Sequence, residues 1–214
     1  MRTELAIFDL DGTLIDSLPW FLAHVNGVAD KFGFRRMREE EIETLRRAGS
    51  REILTRMQVP LWKLPLIARH MRQLKAEHAA DLPLFPGVAP MLQALREGGV
   101  RLALVSSDDE ANVRQQLGEE TAAMFSDFAC SAALFGKAAK FRRVVKRADV
   151  VPACAMAIGD EVRDIEAARV AGIPCGAVTW GYAAPEALRA LKPDIVFQCM
   201  EDIPRLLVAG FPRG

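Results

Sequence analysis

Two aspartates, Asp9 and Asp11, stand two positions apart, directly after the apolar run Leu5-Ala6-Ile7-Phe8 and directly before Gly12 and Thr13. The run is short and soon broken by glycine, which suits a buried parallel strand better than a helix. At the carboxyl end of such a strand, amides and side chains of the next loop converge on one point. Two carboxylates at that point repel, so a shared proton or a cation has to relieve them. A hard, oxygen-preferring cation such as Mg2+ is the economical partner. Asp-Gly alone would mark only a turn, so the rest of the chain has to supply the other groups.

Three further stretches can supply them. Leu102-Ala103-Leu104-Val105 reads as a strand that ends on the hydroxyls of Ser106 and Ser107, with a helix starting a few residues later. Helix N-termini favour phosphate, although a serine there can also serve only as a helix cap. Gly136-Lys137-Ala138-Ala139-Lys140 places two lysines at a helix start. Ile158-Gly159-Asp160 ends another strand, and Asp160 and Asp164 lie four apart, on one face of the first helical turn. Acids there suit a helix dipole as well as a cation.

The elements that must position these groups alternate. Apolar strands are expected at 5–8, 101–105, 128–130, 155–158, 175–178 and 195–197. Helices are expected between them, at 88–97, 110–117, 121–125, 137–147, 161–171, 185–191 and 204–209. Repeated βα units imply a parallel sheet covered by helices on both faces. Between Leu18 and Ala80 the texture is helical only. Phe21, Leu22, Val25, Val28, Ala29 and Phe32 recur at helical spacing and Gly33 stops them. Shorter helices follow at 40–47 and 51–57, the second with Ser50 as its N-cap, then a longer one at 66–80. Asp81-Leu82-Pro83-Leu84-Phe85-Pro86-Gly87 reads as a linker.

The stretch Phe8-Asp9-Leu10-Asp11-Gly12-Thr13-Leu14-Ile15-Asp16-Ser17 closely resembles the first motif of the haloacid dehalogenase-like phosphatases. That motif is a hydrophobic run followed by Asp-x-Asp-Gly-Thr-Leu-x-Asp-Ser. Ser106 falls where the family's second motif has a phosphate-binding Ser or Thr. Lys137 precedes Asp160 by 23 positions, close to the family's spacing for its lysine motif, but the usual Pro after the lysine is missing, and Lys140 remains the alternative. Gly159-Asp160-Glu161-Val162-Arg163-Asp164 is similar to the fourth motif, and Val178-Thr179-Trp180-Gly181-Tyr182 is similar to phosphoglycolate-phosphatase-type members.

The resemblance implies an α/β, Rossmann-like three-layer core with a parallel sheet, spanning 1–16 and 83–214, and an all-helical cap inserted at 17–82. It implies a phosphatase acting on a small phosphorylated metabolite. Asp9 would be the nucleophile, forming an aspartyl-phosphate, and Asp11 the acid and base. Ser106, Ser107 and Lys137 would bind phosphate. Mg2+ would sit among Asp9, the Asp11 backbone carbonyl, Asp160 and Asp164, with Glu161 able to substitute in part. A sugar phosphomutase is the alternative, because Ser50-Arg51-Glu52 is similar to a phosphate-gripping stretch of such enzymes. Against it, the position of their cap histidine holds Phe21, with His24 one turn on. A phosphonate hydrolase would need a cap lysine and usually lacks the second Asp. A non-catalytic binding protein is a further alternative that the intact acids and lysine oppose. From the residues themselves, Arg51 is a candidate for a second anionic group of the substrate.

Composition excludes other classes. Lys+Arg and Asp+Glu both number 28 in 214 residues, so nothing favours a polyanion such as nucleic acid. The basic run 34–38 adjoins Glu39-Glu40-Glu41 and reads as a solvated face. No apolar run approaches the ~18 residues of a membrane span. The four cysteines fit no metal-binding spacing, and a reducing cytoplasm is expected, with the chain a monomer or homodimer.

Overall fold

The computed structural model describes residues 2–79, 82–130 and 136–210. Six strands, β1 (Leu5–Phe8), β2 (Arg101–Ser106), β3 (Asp127–Cys130), β4 (Ala155–Gly159), β5 (Cys175–Val178) and β6 (Ile195–Phe197), form one sheet in the order β3-β2-β1-β4-β5-β6. Every neighbouring pair is parallel. β1 is central and all four of its residues are fully buried, as its unbroken apolar run requires.

Alternation along the strands feeds two separate cores. Ala6, Phe8, Leu102, Leu104, Met156 and Ile158 face one side. Leu5, Ile7, Ala103, Val105, Ala155 and Ala157 face the other. The first face is covered by α5 (Val88–Glu97), α6 (Glu110–Leu117) and α11 (Asp202–Ala209). The second is covered by α8 (Lys137–Ala148), α9 (Val162–Ala171) and α10 (Pro185–Ala190). A short helix, α7 (Glu119–Ala122), precedes β3.

Between β1 and α5 the chain is helical, as expected: α1 (Leu18–Phe32), α2 (Ile42–Arg46), α3 (Ser50–Arg56) and α4 (Leu64–Glu77). Gly33 closes α1 at φ 69°, a left-handed conformation that glycine adopts without strain. Two local expectations change. The N-cap of α3 is Gly49, with Ser50 already helical and making no capping bond. The long helix starts at Leu64, because Pro65 is tolerated in a first turn, where its missing N–H has no partner to lose. Of the expected helix 66–80 and the linker after it, Ala80 and Asp81 lie outside the described residues. The basic run is spent locally: Arg35 and Arg38 both pair with Glu41, and Arg36 pairs with Asp30.

Order and register bring the chemistry together. Phe8 is level with Leu104 of β2 and Ile158 of β4. Asp9, Ser106 and Asp160 therefore emerge side by side at the carboxyl edge of three adjacent strands. β1 is where successive connections turn to opposite sides, the place where such sheets open a crevice.

Candidate active site

Asp9 follows β1 directly and is 6% exposed. Lys137 opens α8 and its Nζ lies 2.8 Å from Asp9 Oδ2 and 2.5 Å from Asp164 Oδ1. Lys140, one turn on, is also buried but donates to the Ser106 carbonyl at 2.6 Å. Both lysines share the inward face of α8 with Phe141, Val144 and Val145, which anchor the helix on the sheet. Of the two, Lys137 is the one in contact with the aspartates.

Carboxylate oxygens of Asp9, Asp160 and Asp164 all lie within 4.8 Å of one another, close enough to share one metal ion. All three are buried and offer hard oxygens, the donor set a small divalent cation takes. Asp160 is wholly buried and held from two sides, by Thr13 Oγ1 and by the Tyr182 N–H, each at 2.8 Å. Gly12 makes this approach possible: a Cβ there would fall 2.2 Å from Asp160 Oδ2, and its φ is +71°. Asp164 also accepts from the Glu161 N–H at 3.0 Å, closing a capping box at the start of α9. The Asp11 side chain stands outside this group. It turns to Lys75 of α4, whose Nζ lies 2.7 Å from Asp11 Oδ1 and 3.4 Å from Asp108 Oδ2.

The electrostatics follow. Burial, reinforced by Glu161, Asp164 and Asp9, holds the Asp160 carboxyl well above its ordinary range. Burial also raises Asp9, against the pull of Lys137. Asp164 is buried too, but Lys137 and Arg163 outweigh that and lower it. Asp11 likewise ends below its ordinary value, since Lys75 overcomes its burial. Burial brings Lys140 down to about 8. Clustered acids raised in this way want a cation or a proton.

Ser106 is buried and its Oγ accepts from the Asp108 N–H at 3.0 Å, so it shapes the loop after β2 as well as facing the site. Two cavities meet here. One, of about 330 Å3, is bordered by Asp9, Ser106, Ser107, Lys137 and Arg51. The other, of about 380 Å3, is bordered by Asp11, Lys75 and the helices of the insertion. Arg51 reaches the first cavity from α3. The acids near it in sequence pair elsewhere, Glu52 with Arg56 and Glu43 with Arg46. His24 borders neither cavity; it bonds the Trp20 carbonyl at 2.8 Å and stacks on the Trp20 ring.

Lys75, Asp108 and Arg163 were not legible as site residues from spacing. Lys75 left one signal. It lies four residues after Met71 and eight after Ile67, a charge on an otherwise apolar stripe. Bound to two carboxylates, it is held protonated: their attraction outweighs the effect of its burial and raises its pKa. That is the opposite of what an imine-forming lysine needs.

Comparison with known proteins agrees with this arrangement. The family model described as haloacid dehalogenase-like hydrolase matches residues 6–178. A phosphoglycolate phosphatase of Synechococcus elongatus is 34% identical over 201 residues, covering 94% of this chain and 95% of the relative. Among solved structures, a haloacid dehalogenase-like family hydrolase of Streptococcus pneumoniae superposes with a TM-score of 0.77 at 21% identity, covering 94% of this chain and 96% of that one. CbbY from Rhodobacter sphaeroides, in complex with phosphate, superposes with a TM-score of 0.72 at 24% identity, covering 95% and 96%. The sheet order, the aspartates at the ends of β1 and β4, and these similarities lead to one conclusion: the chain belongs to the haloacid dehalogenase-like hydrolases and is a phosphatase of that family.

Proposed function

We propose that the chain is a Mg2+-dependent phosphatase that hydrolyses a small phosphomonoester through an aspartyl-phosphate on Asp9. The observation that carries this reading is the placement of Asp9. It is buried at the end of the central strand, against Lys137 at 2.8 Å and within a group of three carboxylate oxygens. In the first half-reaction an Asp9 oxygen attacks phosphorus and the ester oxygen leaves, protonated by Asp11. In the second, Asp11 takes a proton from water, which attacks the acyl-phosphate phosphorus and frees Asp9. Lys75 stabilises the carboxylate that Asp11 becomes once its proton has gone to the leaving oxygen, the form the second half requires. Lys137 and the Ser106 hydroxyl stabilise the phosphoryl oxygens. Asp9, Asp160 and Asp164, with the Asp11 carbonyl, would hold Mg2+, which when bound offsets charge between nucleophile and phosphoryl group. The helical insertion, residues 17–82, acts as the cap and leaves Arg51 to meet a second anionic group.

The named relative makes 2-phosphoglycolate the first substrate to try. The proposed setting is the cytoplasm, where the four free cysteines would stay reduced. The test is Asp9→Asn, assayed with a generic aryl phosphate and 2-phosphoglycolate. Turnover should fall by orders of magnitude in a folded protein, and the acid-stable, hydroxylamine-labile phosphoenzyme should vanish. Near-normal turnover in the folded variant would remove Asp9 from the nucleophile role.

A further inference from the structure

The two cavities divide the proposed reaction between them. Asp9, the nucleophile, borders the 330 Å3 cavity with Ser106 and both lysines of α8. Asp11, which protonates the departing oxygen, borders the 380 Å3 cavity instead. Ser107 and Arg163 border both, so the two are contiguous across the reacting atoms. A phosphomonoester bridging Asp9 and Asp11 thus puts its phosphoryl group in the first, where a second anionic group would also have to lie to meet Arg51, and the body of its leaving group in the second.

The leaving-group chamber has a composition of its own. Arg46, Arg72, Asp108, Glu161 and Arg163 border it beside Asp11 and Lys75, but most of its wall is apolar, with Ile42, Ile53, Leu54, Ile67 and Met71 contributed by α2, α3 and α4. Each of these apolar side chains is only half-buried. Its volume of about 380 Å3 equals roughly a dozen water molecules, at about 30 Å3 each. Glycolate, with two carbons and polar at both ends, neither fills such a space nor covers its wall. Water against that wall is readily displaced by an apolar group, which gains binding free energy in proportion to the area covered.

Resting on the phosphatase reading above, we propose that this chamber binds the leaving group and selects phosphomonoesters whose alcohol carries an apolar body, aromatic or branched alkyl. The phosphoryl end is held by Lys137 and Ser106. The apolar body covers Ile53, Ile67 and Met71, and the ester oxygen falls beside Asp11. Burying a ring of phenyl size is worth about ten- to a hundredfold in kcat/KM.

The experiment is a comparison of kcat/KM within two matched pairs, using the intact chain with Mg2+. One pair is ethyl phosphate and 2-phenylethyl phosphate. The other is 2-phospholactate and 2-phospho-3-phenyllactate, each as both enantiomers. The phenyl member is expected to exceed its partner more than threefold in at least one pair, and that ratio should fall in both Ile53→Trp and Ile67→Trp, which fill the chamber. A ratio is unaffected by the fraction of a variant that folds, and melting curves report folding separately. Ratios of three or less in both pairs overturn the proposal, as does a ratio that neither substitution lowers. Release of phosphate from none of these compounds overturns this proposal, and the phosphatase reading falls with it only if 2-phosphoglycolate and a generic aryl phosphate are left intact as well.

Discussion

Lys75 Nζ lies 2.7 Å from Asp11 Oδ1, across 64 positions of sequence, and ties helix α4 to the loop that leaves the central strand. Lys75 also lies 3.4 Å from Asp108 in the loop after β2. Lys75 is 6% and Asp108 3% exposed while the Asp11 side chain is 29% exposed, so Lys75 compensates one buried and one partly exposed carboxylate. Asp108 is held in turn by Asn112 and Gln116 of α6. A single side chain thus joins the helical insertion to two loops of the sheet.

Lys75→Met should destabilise the protein, because it leaves two carboxylates facing each other without a cation. The expected loss is about 3–5 kcal/mol, or roughly 6–20 °C in Tm for a chain of this size. The pH dependence has a definite sign. Asp11 is lowered from 3.8, so its contribution is full above that value and is lost as pH falls through its lower folded value. Lys75 is raised from 10.5, so its contribution is full below that value and is lost as pH rises through its higher folded value. The Tm gap between wild type and variant should therefore be widest and flat between pH 4 and 10.5, and narrow beyond both ends. Thermal melts from pH 3 to 11 check this; a gap that peaks at either end contradicts it.

The two lysines of α8 should separate by the quantity they change. Lys137→Ala removes the cation between Asp9 and Asp164 and should lower kcat by at least about a hundredfold, on the scale of a lost charge-stabilising donor. Lys140→Ala removes a bond to the Ser106 carbonyl and should act mainly on Tm, by a few degrees. Steady-state kinetics beside melting curves decide between them. The reverse order of kinetic effects would give the catalytic place to Lys140.

Metal dependence should be visible without turnover. Excess chelator should abolish activity and Mg2+ restore it, with Ca2+ a poor substitute because its looser coordination misplaces the nucleophile. Mg2+ should also raise Tm, since it relieves the mutual repulsion of Asp9, Asp160 and Asp164. Asp160→Asn should abolish that rise, while its Tm without metal matches or exceeds wild type because a carboxyl held high by burial has been removed. Full activity in chelator would sink the metal assignment.

Arg51 borders the cavity that holds Asp9 and has no ion pair with a described residue. Arg51→Ala should raise KM for a doubly anionic substrate such as 2-phosphoglycolate and lower kcat/KM about ten- to a hundredfold. An aryl phosphate, with one anionic group, should lose far less. Equal losses for both substrate types would place Arg51 on the phosphoryl group they share, and kinetics equal to wild type would make it a surface residue.

What the sequence by itself determined is local. Unbroken apolar runs marked β1, β2, β4 and β5, because a strand buried on both faces has no polar side to show. Glycine and acid at the ends of β1 and β4 marked turns that could hold a cation, and only the resemblance of those stretches to the family's motifs singled them out as a candidate site. Helix starts were less legible: Ser50 looked like an N-cap, and Pro65 looked like a boundary although it lies inside the first turn of α4. What only the tertiary structure decided depends on contacts between distant positions. Lys137 and Lys140 lie on one face of one helix, and only the packing of α8 on α9 brings the first to Asp164 and Asp9. Lys75, on an apolar helical stripe, became a partner of Asp11 only when α4 was laid over the edge of the sheet. Spacing and periodicity report which face of an element is buried; which opposite charge waits on the other side is settled by the fold.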